Sequence, residues 1–273
     1  MSRLALAAFA LGFAALAVAT FLLGPFGWQI LTSLRPEAEL TSVGLPSALS
    51  FRSYAAAFEG RPFGRVLLNS AIVAGVTTVV CIALASTAAF ALAKLELRAK
   101  NLLLAVALAV SMFPPIATVS PLYLALRELH LLDTLAGLVL PHTTFALPLA
   151  LWVLAGFFRD IPDELYRAAR VDGCTPFQAF HRVMLPVAMP GLATTAILVF
   201  IFSWNEFLYA LTFTSSPERR TVPVAISLFA GEHAEPWGEI AAASVIATLP
   251  LLAFTLVFQR RIVSGLTRGA VKG

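Results

Sequence analysis

Charge is what this sequence has little of. Its 273 residues include 19 basic and 15 acidic side chains, only 12% of the chain, against about 25% in a soluble domain. Hydrophobic residues make up 59%, above the usual 45–50% or so, and the mean hydropathy is +0.86. So little polar surface cannot cover a soluble globule, which excludes an ordinary cytosolic enzyme, a disordered tail and a collagen-like fibre. Two cysteines are too few for a disulfide-built scaffold or a four-thiolate zinc site. Cys81 falls inside an apolar run and Cys174 in a charged segment, so the two are not expected to pair. Only three lysines are present, and none sits in a Gly-x-x-x-x-Gly-Lys-Ser/Thr loop, so the chain is not expected to hydrolyse ATP or to be an enzyme. The net charge of +4 is too small to point to nucleic acid. No cluster of metal-ligating residues is visible, and no cofactor is expected on the chain itself.

The charge-free runs carry the positive signal. They cover 4–34, 66–93, 101–126, 134–158, 183–205 and 240–259. A helix needs about 20 apolar residues to cross a bilayer, so six runs predict six spans, approximately 5–31, 66–93, 101–126, 134–158, 183–204 and 240–259. The runs do not alternate at period 2, which excludes a β-barrel. The expected fold is an all-α membrane protein with residues 1–273 as a single transmembrane domain. The first run continues to Leu31, too long for a signal-peptide core, and is expected to remain as a helix. With the N-terminus inside, the inner segments hold twelve basic residues and the outer ones seven, while acidic residues run five inside and ten outside. The positive-inside rule then predicts that both termini are cytoplasmic.

Ionisable groups are missing from these spans except for His142. An ion-coupled carrier usually keeps such groups near the bilayer midplane. A histidine beside Pro141 is expected to serve as a structural hydrogen bonder.

The inner segment 159–182 is charged yet helical in pattern. Pro162 suits a first helical turn, and Asp163 and Glu164 sit at its positive dipole end. Leu165, Ala168, Ala169 and Asp172 share one small face. Gly173 is placed to stop the helix in a left-handed conformation. Thr175 and Pro176 restart one as N-cap and N1, and Phe177, Phe180 and Met184 form an apolar stripe. From spacing alone this is an amphipathic hairpin on the inner leaflet or a docking element for a cytoplasmic partner.

Arg167-Ala168-Ala169, Gly173, Val183, Leu185 and Pro186 are spaced as in the EAA loop of ABC importer permeases, and the segment resembles that loop. The departure is Arg167, where the pattern has Glu; Asp163, Glu164 or Asp172 are the available acidic substitutes. Phe202 to Leu208 resembles the fifth-helix signature of the maltose- and trehalose-type six-helix sugar permeases, Leu31 to Pro36 the start of their first outer loop, and Phe258 to Gly273 their tail.

The resemblance covers nearly the whole chain. It implies a permease subunit of an ATP-driven sugar importer in a bacterial inner membrane, with a cytoplasmic helix-turn-helix coupling loop between the fourth and fifth helices. It implies three kinds of partner: a homologous permease completing a heterodimer, two ATP-binding subunits that hold ATP and Mg, and an extracytoplasmic sugar-binding protein. Coupling residues would be Glu164, Arg167, Ala168, Ala169, Asp172, Gly173, Thr175, Pro176, Phe177, Phe180, Leu185 and Pro186. The substrate would be a di- or oligosaccharide such as trehalose or maltose. Glycerol-3-phosphate, another solute of the same superfamily, and an ion-coupled stand-alone carrier are the alternatives.

Polar residues near helix ends or interiors are the candidates for the solute pathway: Asn69, Thr144, Trp204, Asn205, Glu206 and Tyr209. Asn205 and Glu206 are favoured, because an acidic group beside an intramembrane Asn is costly unless it faces water. Trp204 suits an interfacial anchor equally well. The prolines at 114, 115, 186, 190 and 250 are expected to break or kink helices, as bending points or as shaped packing. The outer loop 205–239 is long and acidic and is expected to meet the binding protein. The basic tail from Arg260 suits either anionic lipid or the ATPase interface.

Overall fold

The computed structural model describes residues 3–42, 44–59, 62–229 and 236–268, with side chains from 9 to 257 within those ranges. The acidic stretch 231–235 and the tail beyond 268 lie outside them. Among the described residues every regular element is helical and none is a strand. The helices are α1 (Arg3–Ser33), α2 (Arg52–Ala56), α3 (Phe63–Lys94), α4 (Lys100–Ser111), α5 (Pro115–Glu128), α6 (Leu135–Asp160), α7 (Asp163–Val171), α8 (Pro176–Ala179), α9 (Leu185–Val187), α10 (Met189–Trp204), α11 (Leu208–Phe213), α12 (Val222–Ser227) and α13 (Trp237–Arg268). Four of them, α1, α3, α6 and α13, are long and apolar enough to cross a membrane by themselves. Two bent pairs bring the total to six if each is one span.

Both bends have a covalent cause. Between α4 and α5 the chain turns by 91° at Met112-Phe113-Pro114-Pro115. A residue before proline is pushed out of the helical region, and Pro114 is itself extended, with ψ 123°. Pro115 then opens α5, where its missing N–H costs nothing. The second bend, 78°, separates residues Pro176–Val187 from α10. Here Pro186 and Pro190 each remove a donor that a regular helix would use. The backbone responds with a π turn over Phe180–Met184, in which the Leu185 N–H reaches the Phe180 carbonyl. The bends stand at prolines expected to break or kink these helices: 101–126 is two helices, and the second straight segment begins at Met189.

The chain divides into two compact units, Met1–Phe63 with Ile226–Pro250, and Gly64–Ala225 with Leu251–Gly273. In the first, α1 is exposed over residues 9–28, which suits lipid. The segment after it is organised by Arg35, which is 2% exposed. Its guanidinium donates to the carbonyls of Glu39, Ser42 and Gly44 and lies 5.0 Å from the Trp28 ring centroid. Ser33 meets the Tyr54 hydroxyl at 2.8 Å, and Phe58, Phe63 and Phe229 pack edge to face.

The second unit has two apolar cores. One joins α3, α6, the π turn and α10 through Ala85, Ala89, Ala150, Leu154, Phe158, Met184 and Val199. The fully buried alanines let helix backbones approach closely, the packing that works where lipid provides no hydrophobic drive. Gly191 has the same role on α10: a Cβ there would strike the Phe157 ring. The other core gathers Val73, Leu126, Leu138, Tyr209, Phe213 and Val224. Polar staples hold the loop beyond α11. Asn69 donates to the carbonyls of Glu218 and Arg220, at 2.8 and 3.0 Å, and Ser70 accepts from the Val222 N–H at 2.8 Å. Asp133, at φ 57°, accepts from the N–H groups of Ser215 and Ser216 and from the Ser216 hydroxyl. Those hydrogen bonds, led by the hydroxyl, hold its carboxyl below the ordinary carboxylate range.

Two outcomes follow. Gly191→Val is expected to lower stability by about 1–3 kcal/mol through overpacking against Phe157, read as a lower unfolding midpoint in detergent; an unchanged midpoint refutes the close approach. Asp133→Asn should be less stable than wild type at neutral pH. Because the folded-state pKa is depressed, the stabilisation is fully present above the ordinary value of 3.8 and lost as pH falls through the lower folded value. The gap between the two proteins should therefore close only below that value, and a gap that closes at higher pH contradicts the assignment.

Candidate functional site

The segment 159–187 folds as a hairpin of short helices fixed at both ends. α6 ends at Asp160, and Pro162 caps α7, with Asp163 and Glu164 in its first turn. Lys94, the last residue of α3, reaches across to this junction. Its ammonium donates to the Ile161 carbonyl and to Asp163, each at 2.5 Å, and its side chain is 2% exposed. The lysine thus neutralises a helix C-terminus and pins a helix N-terminus with one group. The hydrogen bond from Lys94, then its charge, holds the Asp163 carboxyl below the ordinary range. The sequence contained the signal, a basic residue in the last turn of a span, but not its partner.

α7 stops as its glycine predicts. Gly173 has φ 85°, its N–H bonds to the Arg170 carbonyl at 3.2 Å, and the Cys174 N–H bonds to the Ala169 carbonyl at 3.0 Å. This pair of bonds is a Schellman motif, which needs a left-handed residue at its corner. Arg170 closes the turn by donating to the Cys174 carbonyl at 2.5 Å. Thr175 then caps α8: its hydroxyl accepts from the Gln178 N–H, and the Gln178 side chain accepts from the Thr175 N–H. This reciprocal capping box, with Pro176 behind it, fixes where the second arm starts.

The hairpin's inner face is aromatic. Phe180 lies 5.1 Å from the Phe90 ring and 6.3 Å from that of Phe158, and Tyr166 lies 5.7 Å from Phe90. Met184, Ala179 and Ala169 are buried with them. The outer face carries Leu165, Ala168, Val171 and Phe177, with Val171 86% and Phe177 69% exposed. Two expectations are corrected here. Ala168 and Ala169 were expected on one small face, but Ala169 faces inward and Ala168 outward. Of the stripe Phe177, Phe180 and Met184, the latter two are buried, whereas Phe177 projects from the first turn of α8, past the edge of that packing. Glu164, Arg167, Asp172, Gly173, Thr175, Pro176 and Pro186 are exposed, and Leu185 is half-buried.

The second candidate set sits where α10 gives way to α11. His142, fully buried, lies 2.7 Å from the Ser203 hydroxyl and 3.0 Å from Glu206. Glu206 is 9% exposed and also accepts from the N–H groups of Tyr209 and Ala210 at 2.9 and 3.1 Å. Its carboxylate therefore caps α11 and ties that break to α6. Glu206 was expected to face water; the capping bonds supply instead what water would have supplied. Tyr209 is buried, stacked on Phe145 at 5.2 Å, with its hydroxyl 2.8 Å from that of Thr118. Trp204 is buried against Phe200. Asn69 is engaged in the staple described above. Thr144 and Asn205 remain exposed, each bonded back to a carbonyl four residues earlier. The polar pathway candidates thus do not converge on one cavity among the described residues. The His142–Ser203–Glu206 cluster is the association that sequence reading missed.

Comparison with known proteins follows the same lines. Residues 81–268 match the family described as the binding-protein-dependent transport system inner membrane component. The chain is 47% identical over 259 residues, 94% of both chains, to the trehalose transport system permease protein SugB of Mycobacterium tuberculosis. It is 42% identical over 91% of its length, and 88% of the relative's, to the sulfoquinovosyl glycerol transport system permease protein SmoH of Agrobacterium fabrum. It is 38% identical over 95% of both chains to the trehalose/maltose transport system permease protein MalG of Thermococcus litoralis. Among solved structures, a chain of a bacterial ABC transporter importing the acidic polysaccharide alginate superposes with a TM-score of 0.80 over 95% of this chain and 98% of that one. At 22% identity, that likeness concerns the fold. With the hairpin and the apolar spans in place, these matches make the chain a member of the binding-protein-dependent transport system inner membrane components, the multi-pass, non-catalytic permease subunits of ABC transporters.

Proposed function

We propose that this chain is one permease subunit of an ATP-driven importer of a di- or oligosaccharide, such as trehalose or maltose, in a bacterial inner membrane. A homologous permease supplies the other half of the pathway. Two ATP-binding subunits, which hold ATP and Mg, dock on the cytoplasmic hairpin of each permease, and an extracytoplasmic binding protein delivers the sugar. Both termini lie in the cytoplasm, on the same side as the hairpin. The observation that carries this reading is the hairpin's two-faced construction. One face is locked into the membrane helices by Lys94, Tyr166, Phe180 and Met184. The other offers an exposed apolar strip, Leu165, Ala168, Val171 and Phe177, whose small centre admits another surface. The sugar assignment rests on the trehalose and trehalose/maltose relatives.

The geometry supports a lever. A push on the exposed strip passes through a capped, Schellman-closed hairpin into Phe180, and from there into Phe90 of α3 and Phe158 of α6. The bend at Ala188 joins the hairpin to α10. ATP binding would bring the two ATPases together, swing the hairpins, and turn the permease pair from inward- to outward-facing. Arg167 presents a cation where the family pattern has Glu. Because Asp163 is committed to Lys94, Glu164 and Asp172 are the exposed carboxylates left to meet basic groups of the ATPase.

Mild-detergent capture of the tagged chain from native membranes is expected to bring down a second six-helix permease and an ATPase; a chain that purifies alone and still transports overturns the reading. In the reconstituted complex, Gly173→Asp is expected to cost about 1 kcal/mol of hairpin stability and to lower binding-protein-stimulated ATPase on the order of tenfold, while the complex remains monodisperse. Full stimulation in that variant refutes the lever. Phe177→Asp should release the ATPase on gel filtration and leave the permease unfolding midpoint unchanged.

A further inference from the structure

The first compact unit contains a cavity of about 550 Å³, within the range of roughly 300–1,000 Å³ typical of small-molecule sites. It is walled by the segment after α1, by α2, and by the first turn of α13. These walls are in close contact: a Cβ on Gly238 would collide with the Ser53 hydroxyl and press on Leu40. Arg35, almost wholly buried, braces the wall through three backbone carbonyls, and its Nε has no partner. Trp237, at the mouth of α13, is 55% exposed and lines the space.

We infer that this cavity is a carbohydrate-binding subsite, taking a neutral pyranoside by stacking one sugar face on Trp237 and bonding its hydroxyls to Glu59 and Arg52. The chemistry of the lining selects the ligand. An indole face offers a flat apolar platform, and the C–H face of a pyranose ring matches it. Three carboxylates, Glu37, Glu59 and Glu239, face two guanidiniums. Of the guanidiniums, Arg35 is spent on carbonyls and Arg52 lies 3.6 Å from Glu37. That balance disfavours a phosphate or other anion, including a lipid headgroup, and favours hydroxyl groups, which donate to carboxylates and accept from guanidinium. The lining residues share one compact unit. The inference rests on the proposed sugar function, under which the segment after α1 and the start of α13 are both extracytoplasmic; the subsite would hold sugar at the outer mouth, outside the spans.

The test is fluorine NMR of the purified importer complex in nanodiscs, labelled with 5-fluorotryptophan, without binding protein. The Trp237 resonance is assigned by its disappearance in Trp237→Phe. It is expected to shift saturably with millimolar trehalose or maltose and not with glycerol. Glu59→Ala should weaken the apparent affinity about tenfold, as for one charge-assisted hydrogen bond. A Trp237 resonance unmoved by either sugar, in a complex that still imports one of them with its binding protein, overturns the subsite and leaves the sugar function standing. A complex that imports neither sugar and shows no shift overturns both. An equal shift with glycerol, or unchanged affinity in Glu59→Ala, also overturns the subsite, since Trp237 would then report the membrane interface.

Discussion

A backbone in lipid has no water to turn to, so every N–H and C=O must find its partner inside the protein. Most of this structure is a response to that constraint. Where a helix is continuous and free of proline, as in α3, the constraint is met locally. Where prolines remove donors, other groups take over. The π turn over Phe180–Met184 carries the chain into Pro186. The pair Pro114-Pro115 ends one helix and begins the next in the same step. Glu206 bonds the first free N–H groups of α11. At each of these breaks a side chain or a turn satisfies part of the irregular backbone.

The same rule explains the bonds made by several buried polar side chains at the helix ends and breaks. Asn69, Ser70 and Asp133 hold the loop beyond α11 by its backbone. His142 and Glu206 hold the end of α10 to α6. A buried carboxylate with three donors around it is a stable arrangement; the same carboxylate with none would cost several kcal/mol. Of the polar residues that reading by position assigns to a solute pathway, Glu206 caps the break before α11 and Asn69 holds the loop beyond it, while Thr144 and Asn205 are exposed.

What could be read from the sequence follows from range. Signals carried by neighbours in sequence were legible: the charge-free runs, the Gly173 stop, the Thr175–Pro176 restart and the breaks at Pro114–Pro115, Pro186 and Pro190; Pro250, also expected to break or kink its helix, lies inside the continuous α13. Signals that depend on a partner far along the chain were not. Lys94 looked like one more inner cation, and nothing local shows that it grips Asp163. Ala168 and Ala169 are adjacent and chemically alike, yet one is buried and the other exposed. Helical periodicity placed Phe177 with Phe180 and Met184, but a stripe is buried only as far as its neighbours extend. Residue type could not distinguish a polar group that lines a path from one that closes a backbone gap.

Under the proposed function, the hairpin is where a membrane protein of so little charge would meet a soluble partner. Its charges are concentrated at the place where the spans end, and they are divided by task. Lys94 and Asp163 face each other and secure the root; Arg170 bonds a carbonyl and secures the turn. Glu164, Arg167 and Asp172 stand exposed around a small apolar strip. A loop fastened by its charges alone would be screened by salt and would yield under load. Here the charges set direction, while the Phe90, Phe158 and Phe180 contacts supply the stiffness, because close-packed aromatic rings transmit displacement with little compression. Under the proposed coupling, motion applied to the hairpin would reach α3 and α6 through these ring contacts and α10 through the bend at Ala188.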